Sequence, residues 1–311
     1  MPFRKSVIGL DIGTYKTKFV HLKSRRGKYE ILDYGFIDNP ADTVDNGNII
    51  QPELLGERIR ELVQDFKLTD KTTISSVSGP QVYIRNIIMP KMKLKDLRQA
   101  IYYQATTFLP IPIEEAIIDI FPIRDIETDE GLQTEVFFVA VRKQQVENLE
   151  MCAKIAGLNL QVIDLESLAL KRVIADISKF KTKAILNLGA TRSGFTVFED
   201  KNLLFHRPLA FGSTGGDQPG ELLTEITRSI EYYNMQFKSY PETIILCGNI
   251  INFTEIEEML SKNINALIQI GEIDPNVIKL DKLNQEDYKL LQSEYLIALG
   301  LAIRGKFDAR Y

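Results

Sequence analysis

Apolar and polar positions fall along the chain in runs whose lengths predict strands interleaved with helices. Val7-Ile8-Gly9-Leu10-Asp11-Ile12-Gly13 is the pattern of a buried strand ending in a polar turn. Residues 14–18 form that turn, and Phe19-Val20-His21-Leu22 reads as the returning strand. Residues 29–36 supply a third strand of the same meander. Asn46-Gly47 marks a turn. A helix follows Pro52, with Leu55, Ile59, Leu62, Val63 and Phe66 at helical spacing. Two strand-like runs, 73–77 and 82–88, are separated by Ser78-Gly79-Pro80.

Past Pro90 the character changes. Lys91, Lys93, Lys95 and Arg98 open a helical pattern with Leu97, Ile101, Ala105 and Phe108 on one face, and Pro110 and Pro112 end it. Strands are expected over 116–123 and 135–141, with an acidic loop over 125–130 between them. A helix over 143–156 stops at Gly157. Helix, strand, strand, helix over about 70 residues suffices for a small inserted α+β subdomain.

The second half opens on another buried strand, Ile185-Leu186-Asn187-Leu188-Gly189, followed by a polar turn and Gly194-Phe195-Thr196-Val197-Phe198. Laid on the first segment without gaps, Leu10-Asp11-Ile12-Gly13 falls on Leu186-Asn187-Leu188-Gly189, and Phe19 falls on Phe195. Such a repeat predicts two topologically related lobes, although any two hairpins share some of this pattern. A helix over 221–233 has Leu222, Ile226, Ile230 and Tyr233 inward, with Glu225 and Arg228 on its polar side.

Composition narrows the function classes. The 311 residues are 44% apolar and 26% charged, the balance of a soluble globular protein of about two domains. Thirty-eight basic against 42 acidic residues give a charge of −4, which argues against a dedicated nucleic-acid binder. Cys152 and Cys247 are far apart in apolar contexts, so the chain reads as one from a reducing compartment. His21 and His206, the two histidines, make no multi-histidine metal site. Asp11 interrupts the apolar stretch behind Arg4-Lys5, so no signal-peptide core forms. The longest lipid-like run, 295–303, is about half the length of a membrane helix. A cytoplasmic protein is expected, with any membrane attachment made through a partner.

A strand that ends in Asp-x-Gly-Thr and turns tightly into a second strand has a physical use. Glycine lets backbone approach a ligand closely, turn N–H groups cradle phosphate oxygens, and the aspartate holds Mg²⁺ through water. Asp11, Gly13 and Thr14 provide that set, and Lys18 reaches toward a terminal phosphate. The same residues also fit a solvent-facing hairpin in which Asp11 caps its own turn. Residues 243–249 run as a strand into Gly248-Asn249, ahead of a helix over 254–260. This is either a nucleoside-binding corner at a strand's carboxyl end or a plain strand-to-helix loop.

In this order the motifs resemble those of the actin and sugar-kinase superfamily. Val7 through Thr14 with Lys18 looks like its phosphate-1 motif, Leu186-Asn187-Leu188-Gly189-Ala190-Thr191 like phosphate-2, and Leu246-Cys247-Gly248-Asn249 like the adenosine motif. Within it the chain is similar to the PilM family of type IV pilus assembly proteins. That resemblance rests on Val77-Ser78-Gly79-Pro80 through Met89-Pro90, Phe108-Leu109-Pro110-Ile111-Pro112-Ile113-Glu114-Glu115, and Ala156-Gly157-Leu158 with Val162-Ile163-Asp164-Leu165-Glu166. Glu225-Ile226-Thr227-Arg228-Ser229 through Tyr233 and Ala298-Leu299-Gly300-Leu301-Ala302-Ile303-Arg304 add to it.

The resemblance implies an α/β, actin-like ATPase fold of two related lobes with an FtsA-like inserted subdomain 1C. Lobe 1 (1A) takes residues 1–81 and 159–180, 1C takes 82–158, and lobe 2 (2A) takes 181–311. It implies ATP and Mg²⁺ as cleft ligands, held by Asp11, Gly13, Thr14, Lys18, Asn187, Gly189, Thr191, Gly215, Gly216, Glu225, Gly248 and Asn249, with Asp11 at the metal. It also implies a scaffold of a type IV pilus or related type II secretion machine, akin to the cytoplasmic part of GspL. Such a scaffold lies against the inner membrane by binding the N-terminal cytoplasmic tail of a PilN-like protein that crosses once.

Two departures shape the expectation about turnover. Asn187 stands where many catalytic relatives place an aspartate. Only eight residues, 217–224, join Gly215-Gly216 to Glu225, where relatives carry subdomain 2B, so 2B is missing or minimal. A scaffold with weak or absent ATP hydrolysis is therefore expected. An ATP-dependent kinase or ATPase of the same superfamily is the alternative, and a polymer-forming actin homologue a third reading.

Overall fold

The computed structural model describes residues 6–25, 27–129, 131–175, 180–214, 219–248 and 253–304, the side chain of Phe253 excepted. The meander expected at the start is present as β1 (Ser6–Ile12), β2 (Lys16–Arg25) and β3 (Lys28–Asp38). Lys18 belongs to β2 rather than to the turn, because pairing with β1 already begins at Ile12 and Thr17. A short pair, β4 (Val44–Asp45) and β5 (Asn48–Ile49), carries the Asn46-Gly47 turn, and α1 (Pro52–Asp65) leads into β6 (Thr72–Val77). α1 starts on a proline whose missing N–H costs nothing there, and it buries Leu55, Ile59, Leu62 and Val63.

The next segment departs from that sheet. β7 (Val82–Pro90), α2 (Leu94–Ala105), β8 (Ala116–Thr128) and β9 (Gly131–Arg142) form a three-stranded antiparallel sheet in the order β7-β9-β8, with α2 on one face. It has its own core of Ile87, Met89, Leu97, Ile101, Ile120, Val136 and Phe138. Phe108, expected on the helix, lies beyond its end and packs edge-on against Phe138 at 5.2 Å. The acidic stretch expected as a loop continues β8 to Thr128. Lys91 and the Thr134 hydroxyl occupy the Asp125 carboxylate, so its charge does not oppose strand pairing.

Then α3 (Lys143–Ile155) packs along α1, where Gly56 leaves room for Cys152 and Ile155, and its apolar face joins the core of the first lobe. β10 (Asn159–Leu165) and α4 (Glu166–Val173) complete that lobe. The second lobe runs through β11 (Thr182–Leu188), β12 (Ser193–Glu199), β13 (Asn202–Leu209), α5 (Pro219–Phe237), β14 (Thr243–Gly248), α6 (Phe253–Asn263) and β15 (Leu267–Ile270).

The two large sheets are copies of one topology, β10-β6-β1-β2-β3 in the first lobe and β15-β14-β11-β12-β13 in the second. Leu10 pairs with Phe19 across β1 and β2, and Leu186 with Phe195 across β11 and β12, so the repeated motif occupies one register twice. Both phenylalanines are fully buried, each contributing about 2 kcal/mol by transfer from water.

The chain ends on α7 (Gln285–Glu294) and α8 (Leu296–Arg304). Although it follows the second lobe in sequence, α8 packs into the first, against β1, β2 and α4. Its apolar residues surround the whole helix axis, and such a helix is stable only when buried on all sides. The approach is backbone to backbone. A Cβ on Gly9 of β1 would sit 1.9 Å from the Ala298 carbonyl oxygen, and one on Gly300 would sit 1.9 Å from that of Ala169.

Gly9→Ala is therefore expected to lose about 3 kcal/mol or more of stability in urea denaturation, the upper range of overpacking. Gly220→Ala, where the added methyl meets open space, serves as the control and stays at or slightly above the parent.

Candidate functional site

The carboxyl ends of β1, β6 and β10 face those of β11 and β14 across a cleft between the lobes, the usual place for ligands in α/β sheets. The cavity there is about 720 Å³, within the range of small-molecule sites. Asp11, Gly13, Thr14 and Lys18 line it from the first lobe, and Asn187, Gly189, Thr191 and Gly248 from the second. Three motifs far apart in sequence thus meet in one place. Gly248 has φ +106°, and a Cβ there would lie 2.1 Å from the Leu188 carbonyl oxygen, so only glycine lets β14 end this close to β11.

The two hairpin turns touch. Thr14 Oγ1 and Thr191 Oγ1 lie 2.9 Å apart in a hydrogen bond between lobes. Beside them Arg192 Nε donates to Asn46 Oδ1, tying the second lobe to the Asn46-Gly47 turn of the first. Gln145 of α3 donates to the carbonyls of Gly47 and Ser78, at 2.9 Å each, which pins that turn from behind.

Charge in the cleft is divided. Asp11 is 8% exposed, and among the described residues no hydrogen bond or ion pair reaches its carboxylate. Burial raises its pKa, with the field of Lys18 acting against the rise. Glu166, at the start of α4, is pushed up to about 7 by burial and then by the neighbouring Asp11 charge, while a hydrogen bond from Ser78 and the charge of Lys18 act the other way. Nothing in the motif reading singled out Glu166. The signal was available in Val162-Ile163-Asp164-Leu165-Glu166, an apolar strand that ends on a carboxylate at a helix start.

Lys18 does not point a free ammonium at the cleft centre. Its Nζ donates to the Glu294 carbonyl at 3.0 Å and lies 3.9 Å from the Glu294 carboxylate. The last carbonyls of α7 lack intrahelical partners, and Lys18 caps one of them. Glu225 is a correction of a different kind. Its carboxylate accepts from Arg207 at 3.3 Å and Arg228 at 3.0 Å, and it does not line the cleft. These two guanidiniums hold it on the face of β13 that α5 covers. Gly215, Gly216 and Asn249 lie outside the described residues.

A buried carboxylate without a partner is a group that a hard divalent cation relieves, and Asp11 supplies the oxygen ligand that Mg²⁺ prefers. With the turn hydroxyls of Thr14 and Thr191 beside it, the wall fits a phosphate-bearing ligand with a cation at Asp11. Asn187 contributes a neutral amide, and Glu255 of α6 is a carboxylate that the second lobe adds to the lining.

The raised pKa of Glu166 has a definite sign in stability. A carboxyl whose folded pKa exceeds its unfolded value binds its proton first in the folded state, so lowering the pH stabilises the fold. Relative to Glu166→Gln, the parent is expected to gain stability as pH falls from about 7 toward the ordinary 4.5. Urea denaturation of both proteins at pH 8 and pH 5 reads this, and a difference independent of pH would contradict it.

Known structures share this architecture. The chain is 22% identical to a chain of a PilM-PilN type IV pilus biogenesis complex, covering 97% of this chain and 99% of that one, with a TM-score of 0.83. It is 13% identical to the ethanolamine utilization protein EutJ from Carboxydothermus hydrogenoformans, covering 98% and 91%, with a TM-score of 0.51. It is 10% identical to the cytoplasmic domain of EpsL, an inner-membrane component of the type II secretion system of Vibrio cholerae, covering 79% and 83%, with a TM-score of 0.51. The fold is thus the actin-like one of two related lobes. The family model for type IV pilus assembly protein PilM matches residues 9–220, more than half of the chain, and the chain belongs to that family.

Proposed function

We propose that this protein is a scaffold of the type IV pilus assembly platform at the inner membrane, and that it binds the N-terminal cytoplasmic tail of a PilN-like membrane protein. The observation that carries the reading is the likeness, over nearly the whole of both chains, to a protein solved as a PilM-PilN complex. Among the described residues no helix is long and apolar enough to cross a membrane. In this reading a tail from a bitopic partner supplies the attachment. In this reading residues 82–158 are subdomain 1C, 1–81 and 159–180 are 1A, and 181–311 are 2A.

The sheet of the inserted segment supports a peptide-binding role. Ile87, Met89, Ile118 and Ile120 face α2, so Ile88 and Ile117 project to the opposite face by strand alternation, and both are exposed. On that opposite face Phe137 and Val139 of β9 pack against the core of the first lobe, with half-buried Phe121 of β8 opposite Phe137. Exposed Ile88 and Ile117 offer apolar anchors at the two edges of this sheet, and the edge strand β8 offers main-chain partners to an extended peptide.

The cleft is read as a binding site with negligible turnover. Hydrolysis of ATP needs a metal fixed by oxygen ligands, an in-line water and a cleft that closes over the nucleotide. Residues 210–218, all that join β13 to α5, leave no room for a closing subdomain, and Asn187 weakens the metal site.

Titration of the protein with a synthetic N-terminal peptide of the PilN-like partner is expected to give saturable binding at micromolar concentration. Absence of binding at high micromolar peptide would remove the scaffold reading. Phosphate release from Mg-ATP is expected to stay at the buffer baseline with or without that peptide. Turnover near about 10 per second, abolished by Asp11→Ala, would replace the scaffold with an ATPase.

A further inference from the structure

Arg192 has an electrostatic position unlike that of the other arginines. It follows Thr191 in the second lobe's hairpin turn, is half-buried and lines the cleft. Arg58, Arg142, Arg172, Arg207 and Arg304, the other half-buried arginines among the described residues, each hold a carboxylate. Arg192 holds only the neutral amide of Asn46, and no described carboxylate pairs with it. A guanidinium withdrawn from water without a counter-charge is costly, and its planar fork matches the oxygens of a phosphoryl group in two parallel hydrogen bonds.

The surroundings point the same way. The Thr14 and Thr191 hydroxyls, one from each lobe's turn, share a 2.9 Å hydrogen bond, and the one that accepts keeps its O–H for an oxyanion. Lys18, the cation that the sequence motif assigns to a terminal phosphate, is engaged by the carbonyl and carboxylate of Glu294. Asp11 and Glu166 line the cleft from the first lobe, Glu255 lines it from α6 of the second, and Glu294 is engaged with Lys18, while Arg192 sits in the second lobe's hairpin turn. An anion held by Arg192 of the second lobe and bridged to a cation at Asp11 of the first would span the cleft between the lobes.

We propose that Arg192 is the anion-binding residue of the cleft and receives the terminal phosphoryl group of a polyphosphate or nucleotide ligand. This rests on reading the cleft as a site for phosphate-bearing ligands. Arg192 then carries the role that the motif gives to Lys18, and its hold on Asn46 is the resting contact of a residue whose charge is meant for the ligand.

Calorimetric titration with inorganic triphosphate, Mg-ATP and adenosine tests this on the parent, Arg192→Gln, Arg192→Lys and Asn46→Ala. Affinity for triphosphate and Mg-ATP is expected to fall about tenfold or more in Arg192→Gln. It recovers in part in Arg192→Lys and stays within a few-fold of the parent in Asn46→Ala. Adenosine binding, if measurable, does not distinguish Arg192→Gln from the parent. Unchanged triphosphate affinity in Arg192→Gln would overturn the assignment of this residue while leaving the cleft as a phosphate site. An equal loss in Asn46→Ala would also overturn it, making Arg192 a structural tie. No response of the parent to any phosphate probe would overturn the cleft reading itself, and the assignment with it.

Discussion

The hydrogen bond between Thr14 and Thr191 joins two turns that occupy the same place in two copies of one sheet. Its geometry follows from pairing deeper in each lobe. Leu10 opposite Phe19 and Leu186 opposite Phe195 bring both hairpins to their turns at the same height above their sheets. Because both phenylalanines are fully buried, neither hairpin can slip by a residue without turning its apolar face outward. The two turns meet at that hydrogen bond, beside the cleft that both of them line.

Behind the first turn, the close seat of α8 on β1 at Gly9 fixes the strand that carries Asp11. The same C-terminal region reaches the cleft directly, since Glu294 at the end of α7 captures Lys18. On the other side, Arg192 and Asn46 connect the second lobe to a turn that Gln145 of α3 also holds. The ligand cleft and the segment leading out of the inserted subdomain thus share one turn. On the proposed scaffold reading, this contact is a physical link between the cleft and the sheet proposed to take a partner's tail.

Much of this was legible before the fold was known. The Asp11-x-Gly13-Thr14 and Asn187-x-Gly189 segments announced matching hairpins because their buried neighbours repeat without a gap. The separate three-stranded sheet was announced by the change of pattern past Pro90 and by the prolines that end its helix. What escaped depended on partners remote in sequence. Lys18 is capped by a residue 276 positions away, and no local pattern reports such a contact. The family resemblance implies a ligand role for Glu225, yet Arg207 and Arg228 hold its carboxylate on the face of β13 that α5 covers. The run over 295–303 was visible as apolar, but its membership of the first lobe is written in the absent side chains of Gly9 and Gly300 rather than in periodicity.

A double-mutant cycle on Thr14→Val and Thr191→Val, read by urea denaturation, tests most directly whether the two turns hold the lobes together. Valine keeps the shape of threonine and removes the hydroxyl, so the cycle isolates the hydrogen bond between lobes. A coupling of about 1 kcal/mol, the net worth of one intramolecular hydrogen bond, is the result that this account predicts. Additive effects, with a coupling below about 0.3 kcal/mol, would contradict it.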